Sequence, residues 1–305
     1  MPLSWRYPAP REIWELRLQR LGLALLLLWR FPLIPRYSVQ PFPVGVANWI
    51  DLTVLGDAGL DAWVSGAFCA ALLLYVLGRA MVPAVGTLLV LWVGAGALSN
   101  SQGSLGHDTQ LVGLVLLAQW LAYVRGAWSA WRGGVRAQAV HELAVDYTQQ
   151  VIVASYLLAG MMKVVLSRGT WIAQVPNIGA DIVKVHGQRF ADSLDPALLA
   201  RGDRLATFAL AHTLLMRLMM GCALFLELTS PLALLGRGLA LIYGVALIGM
   251  HRGIEFMMMI RFYEHEVLLL LYFVNLPYLL VIATRWLRRA GDHAARTAGD
   301  SPAAG

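Results

Sequence analysis

Residues 145–166 read VDYTQQVIVASYLLAGMMKVVL. Past Asp146 the stretch carries no charge until Lys163. As an α-helix rising 1.5 Å per residue it extends about 33 Å. The hydrocarbon core of a bilayer is about 30 Å thick, so this length and composition predict a membrane-spanning helix. The rest of the chain has the same character. Of 305 residues, 58% are hydrophobic and 14% charged, against roughly 45–50% and 25% in ordinary soluble domains. A water-soluble domain of this size would lack the charge to cover its surface. That excludes a soluble enzyme, a disordered chain and a nucleic-acid-binding module. The expectation is an all-α, polytopic integral membrane helical bundle.

Outward from residues 145–166, seven further apolar segments stand out: Leu18–Ile34, Val64–Leu77, Val82–Leu98, Gln110–Val124, Leu205–Leu226, Gly238–Met250 and Val267–Trp286. Together they predict about eight transmembrane helices in a single domain over residues 1–290. Several are short, which calls for tilt or local bilayer thinning. Leu21–Leu28 is followed by no A-x-A cleavage signal, so the first segment reads as a retained span. Around Trp49-Ile50-Asp51-Leu52 the pattern suits an amphipathic helix at the interface. Residues 125–144 and 167–204 read as long polar connections, the second with five basic and four acidic side chains. From Gly291 the sequence is Ala- and Gly-rich and polar, and reads as a disordered cytoplasmic tail over residues 291–305.

Lys/Arg asymmetry gives the orientation. Arg6, Arg11, Arg17 and Arg20 precede or open the first span, Arg125, Arg132 and Arg136 follow the fourth, and Arg285, Arg288 and Arg289 follow the eighth. Residues 99–109 carry no Lys or Arg. Eight spans with both termini cytoplasmic, in the plasma membrane, satisfy these, although residues 167–204 would then lie outside with five basic side chains. The net charge of +6 is thus a matter of helix ends meeting anionic lipid. Cys69 and Cys222 sit in apolar runs without a CxxC neighbour, as small hydrophobic fillers.

A charge at the centre of a span costs at least about 2.5–3.5 kcal/mol. On the expected topology His107 stands at the outer start of the fourth span, Lys163 near the outer end of the fifth and His251 at the outer end of the seventh. Three titratable groups at one depth suggest a shared site; separate snorkelling to the interface is the plainer alternative. Lys163 is the sharpest of them. Met161, Met162 and Val164 flank it, desolvation disfavours its ammonium form, and a neutral amine there would act as a base. Glu227 and Arg217, ten residues apart, read as forming a structural ion pair with one another or with Arg261. Met257–Met259 reads as deformable packing. His265 lies between Glu264 and Glu266, but adjacent helical residues point in different directions, and no metal site is predicted. P-loop, GxGxxG, GxSxG and HExxH motifs are absent from the sequence.

Gln149/Gln150, Tyr156, Ala159-Gly160, Lys163 and Trp171 resemble the pattern of the HTTM (horizontally transferred transmembrane) domain family. The membrane part of vitamin K-dependent gamma-glutamyl carboxylase is related to that family. The spacing from Lys163 to Trp171 is longer here than in the carboxylase. Asn100-Ser101-Gln102 followed by His107, and His251-x-Gly-Ile followed by Ile260-x-Phe262, resemble two further segments of it. The likeness spans most of residues 15–285. It implies that Lys163, His107 and His251 are catalytic and that Tyr156, Gly160 and Trp171 bind the cofactor. That cofactor would be a reduced quinone, a vitamin K-like hydroquinone deprotonated by the lysine at an outward-facing site. The large soluble domain of the carboxylase has no counterpart in the sequence. The implied activity is therefore a quinone-linked modification of a secreted peptide or protein at the outer face. The alternative is a non-enzymatic membrane factor for assembly or export of a secreted partner.

Overall fold

The computed structural model describes residues 11–31, 45–57, 59–101, 108–133 and 137–299. Most of those residues are helical, and there is no strand among them. The helices are α1 (Ile13–Arg30), α2 (Asp61–Leu77), α3 (Met81–Asn100), α4 (Asp108–Trp131), α5 (Ala137–Leu166), α6 (Val175–Ser193), α7 (Pro196–Ala211), α8 (Thr213–Leu228), α9 (Arg237–Met258), α10 (Tyr263–Tyr272) and α11 (Leu276–Gly299). Local chemistry sets several ends. Gly78 closes α2 in the left-handed conformation at φ +69°, where a Cβ is costly. Asp195 caps α7 by accepting from the Ala197 N–H at 2.9 Å, with Pro196 in the first turn.

The described residues of all eight apolar segments are mainly helical, and eight spans are not confirmed among them. Among the described residues four helices are long and apolar enough to cross a membrane, or up to six if each bent pair counts as one. The sixth segment breaks at His212, where α7 and α8 meet at 92°. Each piece has 16 residues, or about 24 Å, less than a bilayer core. The described part of the first segment belongs to α1, which carries Glu15, Arg17, Arg20 and Arg30; Glu15 and Arg30 form ion pairs, and Arg17 and Arg20 line a groove. The second, α2, is a 17-residue apolar helix. The eighth bends by 44° between α10 and α11. Residues 167–204 are not an open connection. They form a 3-10 turn at Trp171–Gln174, then α6 and most of α7, which pack on each other as a hairpin with their own small core of Val175, Ile182, Ala206 and Ala209. Residues 291–299 continue α11 as helix, where the sequence predicts a disordered tail.

The main core joins α1–α5, α9 and α10 around Tyr75, Leu88, Trp92, Leu116, Ile152 and Tyr272. It is threaded by polar groups. Tyr75 donates to Gln119 Oε1 at 2.8 Å, and Gln119 Nε2 donates to Thr148 Oγ1 at 3.1 Å and to the Tyr272 hydroxyl at 3.2 Å. Arg11 pairs with Asp146 at 2.7 Å and donates to Gln149 at 2.9 Å. At the surface, Glu12 accepts two hydrogen bonds from Arg285, which hold its carboxyl below the usual carboxylate range. Many large apolar side chains face outward instead, Val90, Leu158 and Ile242 among them, each at least 60% exposed.

Close helix contacts depend on missing side chains. At Gly244 of α9 a Cβ would stand 2.9 Å from the Val274 backbone nitrogen and 2.9 Å from Phe273 Cβ. Backbone cannot swing aside as a flexible side chain can. Gly244→Ala is expected to destabilise by about 1–3 kcal/mol through overpacking. Its unfolding midpoint in detergent, compared with that of Gly249→Ala, checks this, because a Cβ at Gly249 meets nothing within 4 Å.

Candidate functional site

On α5, Tyr156, Gly160 and Lys163 follow at steps of four and three residues, which sets them on one helix face. That face meets α8 at Gly160. A Cβ there would stand 3.0 Å from Glu227 Cβ and 3.1 Å from Leu228 Cδ2. The close approach lets Lys163 Nζ form an ion pair with Glu227 Oε1. The glutamate side chain is 5% exposed and the lysine 28%. The lysine ammonium also lies 5.6 Å from the centre of the Trp171 ring, in cation–π range. The apolar neighbours expected around the amine are therefore joined by a carboxylate. Glu227 does not pair with Arg217 or Arg261: Arg217 is exposed and Arg261 pairs with Glu255 at 3.4 Å.

The face of α5 also meets α9. The Tyr156 hydroxyl lies 3.3 Å from His251 Nε2, and both residues are buried. The His251 ring stacks on Phe262 with centroids 4.6 Å apart and meets the His265 ring edge-on at 5.7 Å. Lys163 acts electrostatically on His251, and Glu227 on Tyr156. Tyr156, Gly160, Lys163, Trp171 and His251 thus occupy one neighbourhood. His107 lies outside the described residues. Glu264 and Glu266, the neighbours of His265, each go to an arginine, Arg30 and Arg252 respectively.

Between α6, α8 and α9 lies a cavity of about 310 Å³. Six of the chain's eleven methionines line it: Met216, Met219, Met220, Met250, Met257 and Met258. Met257 and Met258 therefore border open space and are not only packing. Leu226 and Met250 also line it, and each is the chain neighbour of a site residue, Glu227 and His251. Two polar atoms in this region have no hydrogen-bond partner among the described residues although both are buried: Glu227 Oε2 and His251 Nδ1. Buried polar atoms are normally satisfied.

Sequence reasoning missed Glu227 as the partner of Lys163, together with Phe262 as a ring support and the cavity as a whole. Gly160 was the available signal, since a glycine four residues from a buried tyrosine marks a helix approach. What the arrangement can do is hold and pass a proton: an amine, a carboxylate, a phenol and an imidazole lie together, the carboxylate and the imidazole each one chain position from a residue that lines the apolar cavity, and Glu227 Oε2 is an acceptor to spare. No protein-family model, no curated protein and no solved structure matches the chain.

Proposed function

We propose that the protein is an integral membrane enzyme that binds a lipid-soluble hydroquinone in the methionine-lined cavity and deprotonates it at the Lys163–Glu227 pair. The observation that carries this reading is the buried Glu227 Oε2 without a donor, on a helix that also walls the cavity. The membrane setting rests on four to six apolar helices with outward-facing Leu, Ile and Val. In an aqueous protein such a surface would drive aggregation. In a bilayer it is the solvated side.

The residues fit a flat ring with an apolar tail. Methionine side chains adapt to irregular apolar shapes and make favourable contacts with aromatic rings. A phenolic O–H needs an acceptor, which Glu227 Oε2 offers, while His251 Nδ1 accepts or donates according to the ring tautomer. A bound hydroquinone would supply electrons and an acidic phenol. The chain's own work is the proton. Glu227 accepts it, Lys163 balances the carboxylate charge, and Trp171 holds the ammonium by its ring face. Tyr156 and His251 form a second hydrogen-bonded pair beside the first, able to relay a proton between Oη and Nε2. The substrate acted upon is, on this reading, a secreted peptide or protein at the outer face.

The test uses full-length protein reconstituted in liposomes with a reduced menaquinone under air. Hydroquinone loss is followed by ultraviolet absorbance. The expected result is consumption by the wild-type protein and a loss of about 10²-fold or more in Lys163→Ala, because Glu227 without its charge partner takes up a proton and no longer serves as the general base. Equal consumption by Lys163→Ala, with the variant folded, would remove the catalytic role of the lysine.

A further inference from the structure

We propose that the groove bounded by α1, the end of α2 and the start of α5 binds the headgroup of an anionic phospholipid, with Arg20 as its main ligand. The groove holds about 610 Å³ and shares only α5 with the site of Lys163 and His251, whose α5 residues begin fifteen positions after His141. Arg17, Arg20, Gln138 and His141 supply its polar lining, and among the described residues no carboxylate lines it. Trp14, Leu21 and Leu77 are among its apolar walls. A cationic end joined to apolar walls suits a phosphate ester carrying acyl chains.

Charge accounting makes Arg20 unusual. On the surrounding helices the arginines and carboxylates are matched to each other. Arg11 meets Asp146 at 2.7 Å, Arg237 meets Glu15 at 3.1 Å and Arg285 meets Glu12 at 2.9 Å. Glu142 accepts from Gln138 at 3.1 Å. Arg20 has no carboxylate among the described residues. Its Nη1 lies 2.9 and 3.2 Å from the two ring nitrogens of His141, and its Nε is buried without an acceptor. A half-buried guanidinium normally recruits an anion, because its desolvation is otherwise uncompensated. Gly78 leaves the space for it: a Cβ there would stand 2.8 Å from Arg20 Nη1. Arg17 adds a second exposed cation, held 4.9 Å above the Trp14 ring. Guanidinium groups meet phosphate oxygens in a two-pronged geometry that an ammonium cannot match. On the expected orientation the groove opens on the cytoplasmic leaflet, where anionic lipids concentrate.

The test is native mass spectrometry of the full-length protein in mild detergent. The protein is titrated separately with phosphatidylglycerol and with phosphatidylcholine of the same acyl chains. The expected result is about tenfold tighter binding of the first phosphatidylglycerol. Arg20→Gln and Arg17→Gln should each weaken it about fivefold, as the loss of one juxtamembrane cation implies, leaving phosphatidylcholine binding unchanged. Arg17 is exposed, so its variant keeps the fold even where Arg20→Gln does not. Equal affinity for the two lipids, or unchanged affinity in the Arg17→Gln variant, would overturn the proposal. So would displacement of phosphatidylglycerol by millimolar inorganic phosphate, which would mark a site for a soluble anion.

Discussion

Lys163→Met is expected to destabilise the protein by about 3 kcal/mol, or roughly 6 °C in the unfolding midpoint measured in detergent. The substitution keeps the side-chain volume and removes the charge. It strands the carboxylate of Glu227, which is 5% exposed. Breaking a buried ion pair from one side costs about 3–5 kcal/mol because the remaining charge is uncompensated. The 28% exposure of Lys163 places the expectation at the lower end of that range. Lys163→Met/Glu227→Gln then discriminates between packing and charge. The double variant removes both charges and should recover most of the stability, while hydroquinone consumption stays lost. Recovery of neither would mean that the methylene contacts of Lys163, rather than its pairing, hold α5 to α8.

Glu15→Ala is the second large effect. Glu15 is fully buried in α1, accepts from Asn275 at 2.6 Å and pairs with Arg237 at 3.1 Å. It thereby ties α1 to α9 and to the break between α10 and α11. Its removal is expected to cost about 3 kcal/mol or more, and to lower the yield of monodisperse protein. Glu15→Gln should cost less, since the amide oxygen still accepts from Asn275 and Arg237 retains its stacking on Tyr278 at 3.9 Å. Arg237 stands fourteen residues before His251 on α9, about 21 Å along the helix axis. Activity per folded molecule should therefore be unchanged in either variant. A change in that ratio would show that the two ends of α9 are coupled.

Much of the fold is legible in hydrophobic runs, and what was not legible has identifiable causes. The apolar segments are helical because local composition decides that much. The break at His212 carries neither Gly nor Pro in Ala211-His212-Thr213. It is fixed by α7 packing on α6, which no local signal announces. Residues 167–204 read as polar connection because an amphipathic hairpin shows a balanced mixture of charge, and only its pairing reveals which face is buried. In the site, the shared neighbourhood of Lys163 and His251 follows from expected topology and depth. Glu227 as the lysine's partner does not. It is 64 residues away, and two other cations, Arg217 and Arg261, are nearer to it in sequence. The choice is made by Gly160, whose missing side chain brings α8 against α5. In the same way, the groove around Arg20 emerges only when the other arginines have been matched to their carboxylates.

The central claim is that the methionine-lined cavity holds a quinone beside Lys163, Glu227 and His251. Mass spectrometry of lipids extracted from the purified full-length protein measures this most directly, with Gly249→Leu as the comparison. A Cβ at Gly249 meets nothing within 4 Å, and this residue lines the cavity. Leucine there fills space without strain and is favoured over glycine in a helix. The account predicts about one quinone per wild-type molecule and its near-complete loss in folded Gly249→Leu. A wild-type protein free of quinone, or a variant that retains as much as the wild type, would contradict it.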